Sequence, residues 1–280
     1  MRTAGRFALA AAVLALFLLL SFALPIKEWR TGDSVTRALL AFLGRDGRPA
    51  PPVYRGSAEP IAGNGTVAVA PAHAALRKAL EDGPLTLVAI GPLTNVAAAL
   101  DRRPDLRANV GRLVAVMGRR PGHLFHPAEG EGKGGILFGH GPVFRDFNFE
   151  QDRAAAIMVL LLTEADLARL ERRVGAAAWV AERARSWLDY WRDDVGLPGF
   201  YPFDLLAGAY LLTAERFDCA EAEASISRDL RLWGRLWGPW AVLAHPKGTM
   251  PAEPRVHGPV VYCERVAPEL HQWLMARLVW

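Results

Sequence analysis

Leu85 to Ile90 (LTLVAI) is an unbroken apolar run of strand length, and it limits what this chain can fold into more than any other feature. A strand without a polar face is buried on both sides, as strands of parallel sheets are. Gly91-Pro92 turns the chain, and a helix starts over Val96 to Leu100. A second apolar run, Leu113 to Met117 (LVAVM), closes in Gly118. Strand, turn, helix and strand in that order make a βαβ unit, which requires a parallel sheet with helices on its faces. The expected fold class is α/β, a mostly parallel sheet flanked by helices.

The remaining punctuation fits around that unit. Helical spacing predicts helices over Ser34–Leu43 (with Ser34 as N-cap), Ala70–Glu81, Ala154–Leu162, residues 174–192 and Phe203–Leu212. Pro52 to Gly56 reads as a short strand running into a turn. Residues 119–143 form a Gly-, Pro- and His-rich loop. A loop that long inside a compact domain usually carries function or moves. The last sixty residues read as short strands and turns, closed by a helix from Pro268 to the end. Eight of the nine Trp follow residue 150 at helical or scattered spacings, which indicates packing.

Composition narrows the function classes. With 280 residues, 51% of them apolar and 22% charged, the chain buries a substantial core and is not disordered. Net charge is only +4, without a basic stripe interleaved by aromatics, so nucleic acid is not an expected partner. One long uncharged run exists, residues 7–26, behind Arg2 and Arg6. It reads as a signal peptide cleaved after Ala23 or as an uncleaved membrane anchor, and either puts the rest outside the cytoplasm. The expected organisation is therefore an export or anchor segment over 1–26 and a domain over 27–280. Cys219 and Cys263 allow one disulfide or two buried thiols.

Thr86-Leu87-Val88-Ala89-Ile90-Gly91-Pro92-Leu93-Thr94-Asn95-Val96-Ala97, a strand ending in GPLTN and continuing as a helix, closely resembles the central motif of the inosine/uridine-preferring nucleoside hydrolases. Three further stretches resemble that family in the right order. Pro52-Val53-Tyr54-Arg55-Gly56-Ser57 looks like its "PVY-G" turn. Val116-Met117-Gly118, then Asp146-Phe147-Asn148 and Asp152, look like its "MGG … EFN … D" segment. Phe203-Asp204-Leu205-Leu206-Ala207 looks like its "HDPLA" helix start. The resemblance spans residues 34 to about 220.

The resemblance implies cleavage of the N-glycosidic bond of purine or pyrimidine ribonucleosides to ribose and base. The transition state is oxocarbenium-like, so ribose must be gripped and water activated on the opposite face. The family uses a calcium ion held by carboxylates and a backbone carbonyl. Carried over by position, Asp204 matches the late calcium-binding Asp and Ile90 the carbonyl donor. Met117, Asp146 and Asn148 match residues of the ribose pocket, with Asp146 standing where the family has Glu.

Two departures bear on activity. The family's first strand ends in a DxDxxxDD cluster that supplies most calcium ligands and the general base, and no such cluster occurs here. The resemblance resumes near Ser34, which implies that the first strand–helix unit is missing. Phe203 also occupies the position of the leaving-group His, and Phe donates no proton. No catalytic residue is assigned, and the calcium site is expected to be incomplete. Asp204 has an alternative reading as a helix N-cap, and Asp146 and Asn148 as turn residues. His123, His126, Glu129, Glu131 and His140 fit no strong metal pattern. Three functions follow: a nucleoside hydrolase with an altered site, a non-catalytic nucleoside- or ribose-binding or scaffold relative, and a homo-oligomer whose partner chain completes the site.

Overall fold

The computed structural model describes residues 36–37, 40–41, 50–57, 69–91, 93–118, 120–121, 162–195, 198–200, 202–228, 240–252 and 257–278. Thr36, Arg37, Leu40 and Ala41 are helical, within the helix expected over Ser34–Leu43. Pro52 to Gly56 is not a strand; it runs unpaired as irregular chain. The export segment 7–26 and the loop histidines lie outside the described residues. No helix among the described residues is long and apolar enough to cross a membrane.

The predicted βαβ unit is present. Helix α1 (Pro71–Glu81) starts with Pro71, whose missing N–H costs nothing in the first turn. Strand β1 (Leu85–Ala89) follows, then α2 (Thr94–Asp101), a 3-10 turn (Pro104–Asn109) and β2 (Val110–Ala115). The two strands pair in parallel, with Leu87 opposite Leu113 and Ala89 opposite Ala115. Only Ala89 of β1 is fully buried, so these strands are half-buried rather than enclosed.

The second part is mostly helical. Residues Leu162–Thr163 (β3), the first of them read from sequence as the end of a helix, pair antiparallel with Gly199–Phe200 (β4). Thr163 caps α3 (Glu164–Glu171), with its N–H and Oγ1 both donating to Asp166 Oδ2 at 2.9 Å. Helix α4 (Ala176–Tyr190) buries Ala177, Val180, Ala181, Ala184 and Leu188, one stripe at the helical period. Its small residues let α3 approach closely, and α5 (Phe203–Leu212) adds Leu205, Leu206 and Ala209 to the same core. Trp191 is buried at its end, and Trp179, Trp187 and Trp273 pack against the same core, as the packing reading required.

The expectation of a mostly parallel sheet is corrected here. The largest sheet among the described residues is antiparallel, with β5 (Phe217–Arg228) between β6 (Trp240–Pro246) and β7 (His257–Val266). The sequence of β5, FDCAEAEASISR, alternates polar and apolar residues, the pattern of an antiparallel strand with one solvated face. These strands are also longer than the short ones expected. Cys219 and Cys263 sit opposite each other on β5 and β7 and form a disulfide. Helix α6 (Glu269–Arg277) closes the fold by burying Leu270, Leu274 and Met275 in the common core.

Candidate functional site

Ligands of open parallel sheets bind beyond the carboxyl ends of the strands. Ile90 follows β1 directly, and Val116-Met117 follow β2. The Val116 N–H donates to the Ala89 carbonyl at 3.0 Å, so the parallel pairing holds both strand ends level. Gly118 then turns the chain with φ 85°, a left-handed backbone that favours glycine. A Cβ there would also lie 3.2 Å from Val242 Cγ1 on β6. The glycine thus lets the end of β2 approach the antiparallel sheet.

Ile90 and Met117, two of the five sequence-predicted site residues, are brought together at the strand ends, each half-buried. Asp204 is half-buried as well, in the first turn of α5. It is not the N-cap, because Pro202 holds that position. Its neighbours Leu205 and Leu206 belong to the core against which Ile90 and Val116 pack. Asp146 and Asn148 lie outside the described residues.

A polar cluster missed by sequence reasoning explains why two of the motifs occur together. Asn95, the last residue of GPLTN, accepts the Ser57 N–H at 2.9 Å on Oδ1. The same oxygen lies 3.1 Å from His73 Nε2, and Ser57 Oγ lies 3.0 Å from that nitrogen. His73 Nδ1 accepts the Ala70 N–H at 3.4 Å. That bond requires an unprotonated Nδ1, so the neutral ring carries its proton on Nε2 and donates it toward Asn95. Nε2 then has no lone pair for the Ser57 proton. The arrangement resembles a nucleophile–base pair, but its chemistry is that of a lock between the PVYRGS turn, α1 and the GPLTN turn. The signal for it was a His at the third position of a helix otherwise apolar on that face.

The strongest charge pairs lie elsewhere and are structural. Arg185 forks onto Glu171 at 2.5 Å and reaches Glu164 at 2.6 Å, tying α4 to α3. The Arg185 guanidinium holds the Glu171 carboxyl below the usual carboxylate range. Arg103 joins Asp105 and Glu81 in the same way beside α1.

Two further features limit the chemistry. A cleft of about 700 Å³ between the end of β2, Tyr210 of α5 and the antiparallel sheet is lined in part by Met117. No acidic residue lines it among the described residues, so it offers no carboxylate to ribose hydroxyls. No group of three or more His, Cys, Asp or Glu that could hold a metal ion occurs among the described residues. Asp204 and the Ile90 carbonyl could offer at most three of the six to eight oxygens calcium takes. They do not amount to a cage.

Comparison with known proteins follows the motifs. Residues 29–236 match the family model described as inosine-uridine preferring nucleoside hydrolase. No curated protein matches the chain. Among solved structures, a plant nucleoside hydrolase is similar with TM-score 0.61 and 18% identity, covering 96% of this chain and 96% of that one. The inosine-uridine preferring nucleoside hydrolase of Bacillus anthracis is similar with TM-score 0.56 and 16% identity, covering 96% and 95%. The purine-preferring ribonucleoside hydrolase of Gardnerella vaginalis is similar with TM-score 0.54 and 21% identity, covering 89% and 84%. At these identities the likeness is one of fold.

Proposed function

Because the chain belongs to the inosine-uridine preferring nucleoside hydrolase family, with residues 29–236 matching its model, we propose that its ligand is a ribonucleoside and its reaction hydrolysis of the N-glycosidic bond to ribose and base. The observation that carries the reading is the level juxtaposition of Ile90 and Met117 beyond β1 and β2, with Asp204 opening a helix packed on the same core. In this reading Met117, Asp146 and Asn148 contact ribose. Asp204 accepts a ribose hydroxyl proton in a hydrogen bond or holds a cation with the Ile90 carbonyl. The described residues supply no cage for calcium.

A second reading, nucleoside or ribose binding without turnover, has its own support. The sequence has no DxDxxxDD cluster, and Phe203 stands in place of a proton donor. The two readings part in one experiment: ribose release from a panel of purine and pyrimidine ribonucleosides by the full chain, with calcium and with chelator. Hydrolysis predicts turnover that Asp204→Ala reduces by about a hundredfold or more. Turnover absent from folded protein that still binds nucleosides would select the second reading.

The proposal extends to location and assembly. Residues 1–26 act as an export signal or anchor for a domain over 27–280 outside the cytoplasm. The uncharged run 7–26 supports this, as does the Cys219–Cys263 disulfide, which suits an oxidising compartment. A homo-oligomer in which a partner chain supplies missing carboxylates would lose turnover on dilution below its dissociation constant.

A further inference from the structure

Two strand edges border the cleft between β2 and the antiparallel sheet. Arg112 to Gly118 line it without a gap on one side, and Pro259 to Cys263 on another. Among the described residues β2 pairs only with β1, and β7 only with β5. Along a parallel strand, successive residues direct their N–H and C=O groups to opposite sides. The Val116 N–H is bonded to the Ala89 carbonyl, so Val114 and Val116 address β1. Leu113 and Ala115 therefore turn their N–H and C=O groups to the open edge. On β7, Pro259 marks the outward phase, because a residue without an N–H spares the ladder only where its nitrogen points away from the neighbouring strand. Val261 and Cys263 share that phase. The Cα atoms of Cys263 and Cys219 lie 3.9 Å apart, the close spacing of an opposed pair that exchanges no hydrogen bonds.

The rest of the lining is apolar, with Ala207 of α5, Ala224 of β5, and Val242 and Ala244 of β6 among it. Leu113, Val260 and Val261 are 43%, 36% and 61% exposed, so the cleft opens to solvent. Open edge groups beside apolar side chains are a template for a further strand. An alkyl chain would cover the apolar side chains and leave the edge donors unsatisfied. Arg112 to Gly118 extend over about 20 Å, the length of a strand of about six residues. Arg112, exposed at one end of that stretch, is the one charged residue lining the cleft among the described residues. It favours an occupant with a negative charge at that end.

We infer that the cleft receives the apolar C-terminal tail of a partner protein as an added strand on the open edge of β2. Antiparallel pairing is the more stable per residue. A tail running antiparallel to β2 ends at Arg112, where its terminal carboxylate meets the guanidinium. Alternate side chains of the tail then face the apolar lining, and its backbone takes up the groups of Leu113 and Ala115. Met117, at the other end of the stretch, adjoins the proposed ribose site. The inference itself does not rest on nucleoside binding or hydrolysis, and its test contains no nucleoside.

The test is fluorescence-anisotropy titration of the full chain with a dye-labelled hexapeptide of alternating valine and threonine that ends in a free carboxylate. Saturable binding is expected. Methylating alternate peptide nitrogens, as two separate sets, should weaken it at least about fivefold for the set that faces β2. Arg112→Gln should weaken the free-acid peptide about three- to fivefold and leave the C-terminal amide of the same peptide unchanged. Ala115→Pro removes an edge N–H at a phase where proline is tolerated, and should weaken both peptides about threefold or more. Should Ala115→Pro fail to fold, the methylated peptides and Arg112→Gln carry the test. No saturable binding, no loss with either methylated set, or an Arg112→Gln effect that is absent or equal for acid and amide overturns the inference. So does decanoate bound as tightly as the peptide, which would assign the cleft to an alkyl acid.

Discussion

Replacing Gly56 by alanine would put a methyl group 2.6 Å from Asn95 Nδ2 and 2.9 Å from Asn95 Oδ1. Carbon does not approach side-chain amides that closely, so Asn95 would be pushed aside. It would then lose the Ser57 N–H and weaken its contact with His73. At about 1 kcal/mol net for each part-buried hydrogen bond, the displacement costs about 2 kcal/mol. Gly56 is not among the glycines with positive φ, so alanine suits its backbone. The stiffer unfolded chain offsets about 0.5 kcal/mol, leaving a net loss of about 1.5 kcal/mol for Gly56→Ala. Asn95→Ala removes the same two bonds and costs about 2 kcal/mol alone. In the double variant the new methyl meets no amide and keeps only the unfolded-chain gain, so it should lose about 1.5 kcal/mol, slightly less than Asn95→Ala. Urea unfolding of the four proteins, with unchanged slope, measures the coupling, expected at about 2 kcal/mol. Losses that simply add, to within about 0.5 kcal/mol, would refute the lock.

Other perturbations test other parts of the account. Cys219 and Cys263 are 44 residues apart, and a loop of that length in the unfolded chain predicts a loss of about 2–4 kcal/mol in the Cys219→Ser/Cys263→Ser variant, read from its unfolding midpoint. Glu171 has a folded pKa below its unfolded value because Arg185 forks onto it. Its contribution is complete above the unfolded value of about 4.5 and is lost as pH falls through the lower folded value. Glu171→Gln should therefore flatten the acid limb of a stability–pH profile while lowering stability at pH 7 by under about 1 kcal/mol. Leu188 is buried in the α4 stripe, and Leu188→Ala should cost about 2–5 kcal/mol in denaturant unfolding.

Much of this was legible in residue order. The run from Leu85 to Asn95 predicted β1, the turn and α2, because a continuous apolar strand and a Gly-Pro break are local signals. Phe203–Leu212 is a helix over the residues expected, since its Leu and Ala favour a helix and its length exceeds that of a usual strand. Leu162 was read as the end of a helix but pairs with Phe200, a contact between distant parts of the chain that no local pattern encodes. The alternation in Phe217–Arg228 was visible, yet its two antiparallel partners lie far along the chain. Asn95 and Ser57 were each singled out in a motif. Their bond, and the His73 tautomer that keeps the cluster from being a nucleophile–base pair, emerged only from distances. The Cys219–Cys263 pairing likewise depended on the register of β5 against β7.

The central claim is that the carboxyl ends of β1 and β2, with Asp204 of α5, receive the ribose of a ribonucleoside. Its most direct test is equilibrium binding of inosine, uridine, the free bases and ribose to the full chain, beside Met117→Ala and Asp204→Ala. The account predicts saturable nucleoside binding that exceeds binding of either fragment and falls in both variants, which stay folded. Folded protein that binds no nucleoside and releases no ribose, or nucleoside binding unchanged in both variants, would contradict it.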